Sequence, residues 1–117
     1  MAVTLSNAAF DRAVNDAIDQ VPEQFLALLD NVVILVEDDP PEDDPDMLGV
    51  YDGVPLTERG DNYGFVAPDR IVLYRNPLKE MCDTVDELVD EIAVTVVHEI
   101  GHFFGIDDDE LDEMGWG

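Results

Sequence analysis

The sequence has 117 residues, 46% of them apolar, which is enough to fill one hydrophobic core but too few for two independent ones. Its 29 acidic and 5 basic residues give a net charge of −24, which repels nucleic-acid phosphates and anionic membranes and excludes both as partners. The single cysteine, Cys82, excludes an internal disulfide and fits a reducing compartment. Because there is no signal-peptide pattern and no apolar run approaches ~20 residues, we expect one soluble, cytoplasmic domain over residues 1–117.

Apolar residues spaced by four and three positions near the start of the chain predict an amphipathic helix, because such spacing places them on one helix face. A second, shorter helix is predicted over residues 22–30, since Pro22 suits a first helical turn. The apolar positions in the two patterns are Phe10, Val14, Ile18 and Val21, and then Phe25, Leu26, Leu28 and Leu29.

Three apolar stretches predict strands. The run at 31–37 is rich in β-branched residues, which is typical of a buried strand. A proline-rich acidic stretch then predicts a solvated loop over 37–46, because proline removes backbone donors and fixes φ. A short strand is predicted at 48–53, followed by a polar segment. The third strand, at 69–77, alternates its side chains between two faces, and its two arginines are expected to form structural ion pairs. The residues concerned are Ile71 and Leu73 on one face, Val72 and Tyr74 on the other, and Arg70 and Arg75.

The strongest helix prediction covers residues 84–105. Thr84 and Glu87 form a capping-box pattern at its start, and Gly105 suits the left-handed residue that ends a helix. The second half is apolar on almost every side, which predicts a helix buried all round. The residues that make it so are Val94, Val96, Val97, Ile100, Phe103 and Phe104.

Inside this helix lie the only two histidines of the chain, His98 and His102, with Glu99 between them. Residues four apart share one helix face, so both imidazoles can reach one metal ion. Glu99 is rotated by about 100° from His98, which suits a base acting on a metal-bound water better than a ligand. This H-E-x-x-H pattern therefore predicts a zinc site with Glu99 as the general base. Two unrelated core histidines are the weaker alternative, because each would need its own polar partner in an apolar helix.

A zinc ion that acts on substrate needs three protein ligands and one open position. The chain has no third histidine, and Cys82 is expected to be a small buried residue, so the third ligand must be a carboxylate. Four acids follow Gly105, where a glycine lets the chain turn back sharply. They are Asp107, Asp108, Asp109 and Glu110. Asp107 and Glu110 also form a capping-box pattern for a last short helix.

The run HEIGHFFGIDD resembles the extended zincin signature H-E-x-x-H-x-x-G-x-x-H/D of metzincin metallopeptidases. In that register His98 and His102 match the helix ligands, Glu99 the general base, Gly105 the turn glycine and Asp108 the third ligand. Together with LGVYDGVPLTERG and PDRIVLYRNPL, the whole chain resembles the small bacterial zincin-like metallopeptidase family. The resemblance implies a compact, single-domain α+β fold, with a small mixed sheet packed against helices and the motif on a long helix near the C-terminus.

Further roles follow from the same resemblance. An edge strand lines the cleft in related zincins and pairs with extended substrate, and Ile71–Tyr74 is the candidate here. Met114 is the available counterpart of the methionine that lies beneath the metal in larger metzincins. Three tyrosines are candidates to stabilise the oxyanion, each of which is otherwise a partly buried aromatic. They are Tyr51, Tyr63 and Tyr74.

The H-E-x-x-H pattern predicts zinc-dependent hydrolysis, and the resemblance implies a metallopeptidase that cleaves peptide bonds in a peptide or protein substrate. The retained Glu99 favours catalysis, because a structural zinc site normally has four closed ligands and needs no base. The alternative is a zinc-stabilised binding module whose metal site is vestigial. A protein that mimics a polyanion is the weakest interpretation, since it uses only the net charge. An acidic rim would favour basic peptides through electrostatic steering. No sequence feature indicates an oligomeric state.

Overall fold

A computed structural model of the chain describes residues 3–27, 29, 31–53 and 68–113. The predicted polar segment after the second strand lies outside these residues, as do Leu28, Tyr63 and Met114. The described part confirms the α+β class, with helices packed against one small mixed sheet. Its elements are α1 (Asn7–Asp19), α2 (Glu23–Leu26), β1 (Val32–Glu37), β2 (Gly49–Asp52), β3 (Asp69–Tyr74), α3 (Arg75–Glu80), α4 (Val85–Phe103) and α5 (Asp108–Glu113).

Side-chain caps mark the starts of the two longest helices, and the one at Thr84 confirms the predicted capping box. The Ser6 hydroxyl accepts a 3.1 Å hydrogen bond from the backbone N–H of Ala9 at the start of α1. At the start of α4, the Thr84 hydroxyl accepts one of 3.1 Å from the Glu87 N–H. The Glu87 carboxylate reaches back to the N–H of Asp83, at 3.4 Å. The two hydroxyl bonds satisfy helix N–H groups that have no partner inside the helix, so α4 starts at a fixed point relative to its H-E-x-x-H pattern.

The sheet has the strand order β1-β3-β2, so β3 is its central strand. β3 pairs in parallel with β1 and antiparallel with β2. The expectation that Ile71–Tyr74 is an edge strand open to substrate is therefore wrong, because both of its edges are used in backbone pairing. Among the described strands, β2 is the edge nearer to α4, and its Gly49 lies opposite Leu73.

Two further predictions need correction. β1 is not buried on both faces, because its side chains alternate in burial and Val33 and Leu35 are each 40% exposed. The predicted strand through residue 77 ends at Tyr74, where Arg75 begins the unpredicted helix α3. Pro77 lies in the first turn of α3, a position where its missing N–H costs no helix bond.

The core lies between the sheet and two crossing helices, α1 and α4. Ile71 and Leu73 of β3 face it, which confirms the predicted split of that strand's side chains. Cys82 is buried there at 1% exposure, as a small apolar residue should be. None of the helices in the described ranges is long and apolar enough to cross a membrane. The fully buried side chains that fill this core include Phe10, Leu78, Leu88, Ile92 and Val96.

Both arginines beside β3 form the expected ion pairs. Arg75 bonds the carboxylates of Asp11 and Asp38, each at 2.9 Å, and so joins α1, α3 and the acidic loop. Arg70 pairs with Asp52 of β2 at 2.9 Å. These pairs commit the two guanidinium groups to structural contacts.

Candidate metal centre

Helix α4 ends in a Schellman motif that turns the chain back on itself. Gly105 has a φ of 82°, the left-handed conformation that glycine adopts most easily. Its N–H bonds the carbonyl of His102 at 2.9 Å, and the N–H of Ile106 bonds the carbonyl of Gly101 at 3.0 Å. The predicted role of Gly105 at the helix end is thus confirmed, and the turn brings the following acids beside the histidines.

The same turn fixes the ring of His102. The Nδ1 atom of His102 lies 2.9 Å from the carbonyl oxygen of Ile106. A carbonyl can only accept, so Nδ1 carries a hydrogen, and in the neutral form of the ring Nε2 then presents a lone pair. In metal sites, a backbone carbonyl commonly accepts the N–H of the histidine nitrogen that does not bind the ion. No sequence pattern pointed to this contact, because Ile106 acts through its main chain.

Three side-chain atoms converge at one point beyond the end of α4. The Nε2 atoms of His98 and His102 are 3.1 Å apart. The Oδ1 atom of Asp108 lies 2.9 Å from the first and 3.1 Å from the second. The three atoms lie within about 3 Å of one another, as ligands of a common ion do.

Of the four acids after Gly105, Asp108 is the one that contacts both imidazoles within the described part of the chain. The carboxylate of Asp107 instead accepts a 2.9 Å hydrogen bond from the N–H of Glu110, which caps α5. Asp107 thus caps α5, and its neighbour Asp108 contacts the histidines. The spacing of the acids did not by itself assign these two roles.

A close contact between helices holds Asp108 at this point. A Cβ atom added to Gly101 would lie 2.5 Å from Cδ2 of Leu111, which is fully buried. Only a glycine at 101 lets α5 pack this closely on α4. The signal in the sequence was a small residue one position before the second histidine, but its partner in α5 could not be identified from spacing.

Glu99 lies beside the three atoms and is only 5% exposed. Its Oε1 atom is 3.9 Å from Nε2 of His102, beyond hydrogen-bond distance. Within the described residues, its ligand atoms and those of the two histidines all lie within 4.8 Å of one another, so this His–Glu–His group could hold a metal ion. Burial raises the pKa of Glu99, the nearby histidines lower it, and Asp108 raises it further.

These groups line a cavity of about 710 Å³ between α4 and β2. Gly49 of β2 approaches α4 closely, since an added Cβ would be 2.9 Å from Cγ2 of Thr95 and 3.7 Å from Cγ of Glu99. Val94 is 43% exposed at the cavity rim, so the prediction that α4 is buried all round is wrong on this face.

The tyrosine candidates separate by position. Tyr51 lines the cavity, stacks on Phe103 at a centroid distance of 6.2 Å, and donates a hydrogen bond to the buried carboxylate of Asp69. Tyr74 is an odd number of residues from Ile71, so it lies on the sheet face away from α4. Burial raises the pKa of Tyr74, and the negative charge of Glu37 adds to the effect. Of the two described tyrosines, only Tyr51 is near the candidate centre.

The donor set fits a zinc ion. With a hydrogen on Nδ1, neutral His102 points an Nε2 lone pair at a carboxylate oxygen 3.1 Å away. Two acceptors at that distance repel each other unless a cation or proton lies between them. Two imidazoles and one carboxylate are a common ligand set for catalytic zinc.

Comparison with known proteins agrees with this geometry. A family model described as zincin-like metallopeptidase matches residues 29–116. Among solved structures, the chain is similar to a conserved hypothetical protein from Thermus thermophilus, with 23% identity and a TM-score of 0.55 over 94% of this chain and 97% of that one. At such identity the likeness supports the fold alone. None of the curated proteins matches the chain.

Proposed function

Because the family match covers most of its length, the chain belongs to the zincin-like metallopeptidase family, and we propose that it is a zinc-dependent hydrolase of peptide bonds. His98, His102 and Asp108 are the zinc ligands in this proposal, and Glu99 is the general base. The metzincin-type register that singles out Asp108 is part of the same proposal.

The observation that carries the proposal is the state of Glu99. The residue is only 5% exposed and lines the cavity, and no described residue donates a hydrogen bond to its carboxylate. Burying a carboxylate without such bonds is unfavourable and serves no purpose in a purely structural site. Next to three converging ligand atoms, it is suited to act on a water molecule or a substrate amide.

The protein groups divide the chemistry among themselves. Zinc, when bound, supplies Lewis-acid polarisation of a carbonyl group and of a water molecule. His98, His102 and Asp108 hold the ion, and the carbonyl of Ile106 keeps the His102 ring oriented. Glu99 accepts the proton of the attacking water on its carboxylate and later transfers it to the leaving amine.

The walls of the cavity suit an extended peptide. Leu48, Gly49, Val50 and Tyr51 form one side, and α4 forms the other. β2 is the edge of the sheet within the described residues, so it replaces Ile71–Tyr74 as the candidate strand for pairing with substrate.

The decisive experiment compares the wild type with Glu99→Gln, which keeps the shape of the side chain and removes its basicity. We expect about one zinc per chain in both proteins by elemental analysis. The wild type should cleave members of a peptide library, and Glu99→Gln should lose at least about 100-fold in kcat. The exposed change Glu110→Gln is the matched control and should leave kcat within about twofold.

A zinc-stabilised binding module is the second candidate. It is favoured by the way the proposed ligands join α5 to the end of α4, which would let a metal ion stabilise the fold. A zinc-loaded wild type that cleaves no peptide would replace the hydrolase proposal with this one. A Glu99→Gln variant with full activity would instead retain hydrolysis and reject Glu99 as its general base.

A further inference from the structure

The candidate metal centre occupies only one end of the cavity. Along α4, the lining residues Glu91, Thr95, His98 and His102 follow the spacing four, three, four, so they form one stripe on a single helix face. Leu88, one turn before Glu91, is fully buried and closes the stripe. The carboxylate of Glu91 therefore marks the end of the cavity opposite to the proposed zinc ligands.

The carboxylate of Glu91 has no hydrogen-bond or ion-pair partner inside the described part of the protein. The side chain is partly buried, and only the main-chain carbonyl of Glu91 is bonded, accepting the Thr95 hydroxyl at 2.8 Å. Among the described residues that line the cavity, the charged ones are Glu91, Glu99 and Asp108, and all three are acidic. Glu99 and Asp108 are engaged at the candidate metal centre, which leaves Glu91 free to meet a charge on a ligand.

The described cations are placed elsewhere. Arg70 of β3 forms an ion pair with a carboxylate of β2, and Arg75 forms ion pairs with carboxylates of α1 and of the acidic loop. Arg12 belongs to α1, and Lys79 of α3 lies over the ring of Phe10 in α1. None of these four residues lines the cavity. Within the described residues, the carboxylate of Glu91 therefore faces no cation of the protein, and a basic side chain of a substrate could supply that charge.

From this arrangement we propose that Glu91 forms a specificity subsite for a lysine or arginine side chain of the peptide substrate. The proposal rests on the proposed hydrolase function and assigns its substrate class. The aliphatic stem of the substrate side chain would pack on Val94 and Leu48, which line the same cavity, while its charged end meets the carboxylate.

The spacing sets where the basic residue lies in the substrate. Glu91 is seven residues before His98, a rise of roughly 10 Å along the helix. An extended peptide advances about 3.3 Å per residue. The basic residue is therefore expected about two or three positions from the bond that is cleaved.

The second observation that points to a ligand here is Glu99 itself. It is nine-tenths buried, faces the same cavity and accepts no hydrogen bond from the described residues. Two carboxylates without donors, about two helical turns apart in one cavity, fit a ligand that brings a reacting group to one end and a cation to the other.

The test uses the zinc-loaded full-length protein and pairs of peptides that differ only by arginine or glutamine, placed two or three residues to either side of the cleaved bond. In the wild type, we expect arginine at one of these positions to raise kcat/KM about tenfold. Glu91→Gln should reduce the preference to within about twofold. Asp90→Asn removes the same charge from an exposed neighbour on α4 and should retain the preference.

A second readout does not depend on turnover. Binding of the same fluorescent peptides is measured by anisotropy in the Glu99→Gln background, with and without Glu91→Gln. Arginine-dependent binding that is lost with Glu91, together with a zinc-loaded wild type that cleaves none of the peptides, would reject the hydrolase function and retain the subsite. Cleavage with no arginine preference, or a preference that survives Glu91→Gln, would reject the subsite alone. An equal loss in Asp90→Asn would also reject it, because the effect would then come from the overall negative charge.

Discussion

The Nδ1 atom of His102 lies 2.9 Å from the carbonyl oxygen of Ile106, four residues further along the chain. This contact exists because Gly105 takes a positive φ and closes the end of α4 with two backbone bonds. The helix cap and the orientation of a proposed zinc ligand are thus one structural unit. We therefore expect a change to the helix cap to alter the affinity for zinc.

Gly105→Ala tests that link. An alanine at a φ of 82° is expected to cost about 1–2 kcal/mol in the free energy of unfolding. Zinc affinity should fall by about tenfold, because the Ile106 carbonyl no longer holds the His102 ring in place. Chemical denaturation and competitive chelator titration measure the two effects. Gly105→Asn is the matched control and should lose less of both, since asparagine tolerates this conformation better. Equal losses in the two variants would argue against the link.

Asp108→Ala tests the third ligand. Removing one of three protein ligands should weaken zinc binding by more than about 100-fold, which exceeds the usual effect of changing a residue that only orients a ligand. Asp109→Ala removes the same group from an exposed neighbouring position and should leave the affinity within about threefold. If Asp109→Ala weakened zinc more than Asp108→Ala, the ligand assignment would have to move by one residue.

Gly101→Ala tests the packing of α5 on α4. The added methyl group would collide with Leu111, and overpacking of this kind costs about 1–3 kcal/mol. The gain in helix propensity, about 1 kcal/mol, offsets part of the cost. We expect zinc affinity to fall as well, because Asp108 moves with α5. Shortening the partner in Gly101→Ala/Leu111→Val should restore part of the affinity, as measured in a double-mutant cycle. Strict additivity of the two changes would contradict the direct contact.

The burial of Glu99 predicts a pH-dependent stability difference in the metal-free protein. Burial raises its pKa above the ordinary 4.5, so folding favours the protonated form. The stabilisation from that form is complete below pH 4.5 and is lost as the pH rises through the folded-state pKa. Metal-free Glu99→Gln should therefore be more stable than the wild type at about pH 7, and the difference should shrink in acid, below the ordinary pKa. Denaturation at both pH values measures it, with Glu110→Gln as the control for charge. A difference that does not change with pH would contradict the assignment.

Local signals in the sequence predicted much of the fold and the centre of the site. Thr84 and Gly105 mark helix ends through bonds to residues within a few positions, and the structure shows those bonds. The histidines meet because four residues make about one helical turn. Asp108 follows the turn closely enough that motif register alone selected it from its acidic neighbours.

The features that were missed depend on contacts between distant segments. Whether β3 is central or at an edge is decided by which strands pair with it, and no pattern within Ile71–Tyr74 carries that information. The exposure of one face of β1 could not be predicted for a related reason. A continuous apolar run gives the same sequence pattern whether one face of the strand is buried or both are. The fit of Gly101 against Leu111 and of Gly49 against Thr95 likewise requires knowing which elements touch.

The three proposed ligands all fall within eleven consecutive residues, 98–108. Closing so short a loop around an ion costs little chain entropy. The surroundings of Glu99, by contrast, require Gly49 of β2, fifty positions earlier in the chain. Local unfolding that releases the sheet edge would expose the base while the ligand segment still holds its ion. As denaturant is added, hydrolysis should therefore disappear before zinc is released.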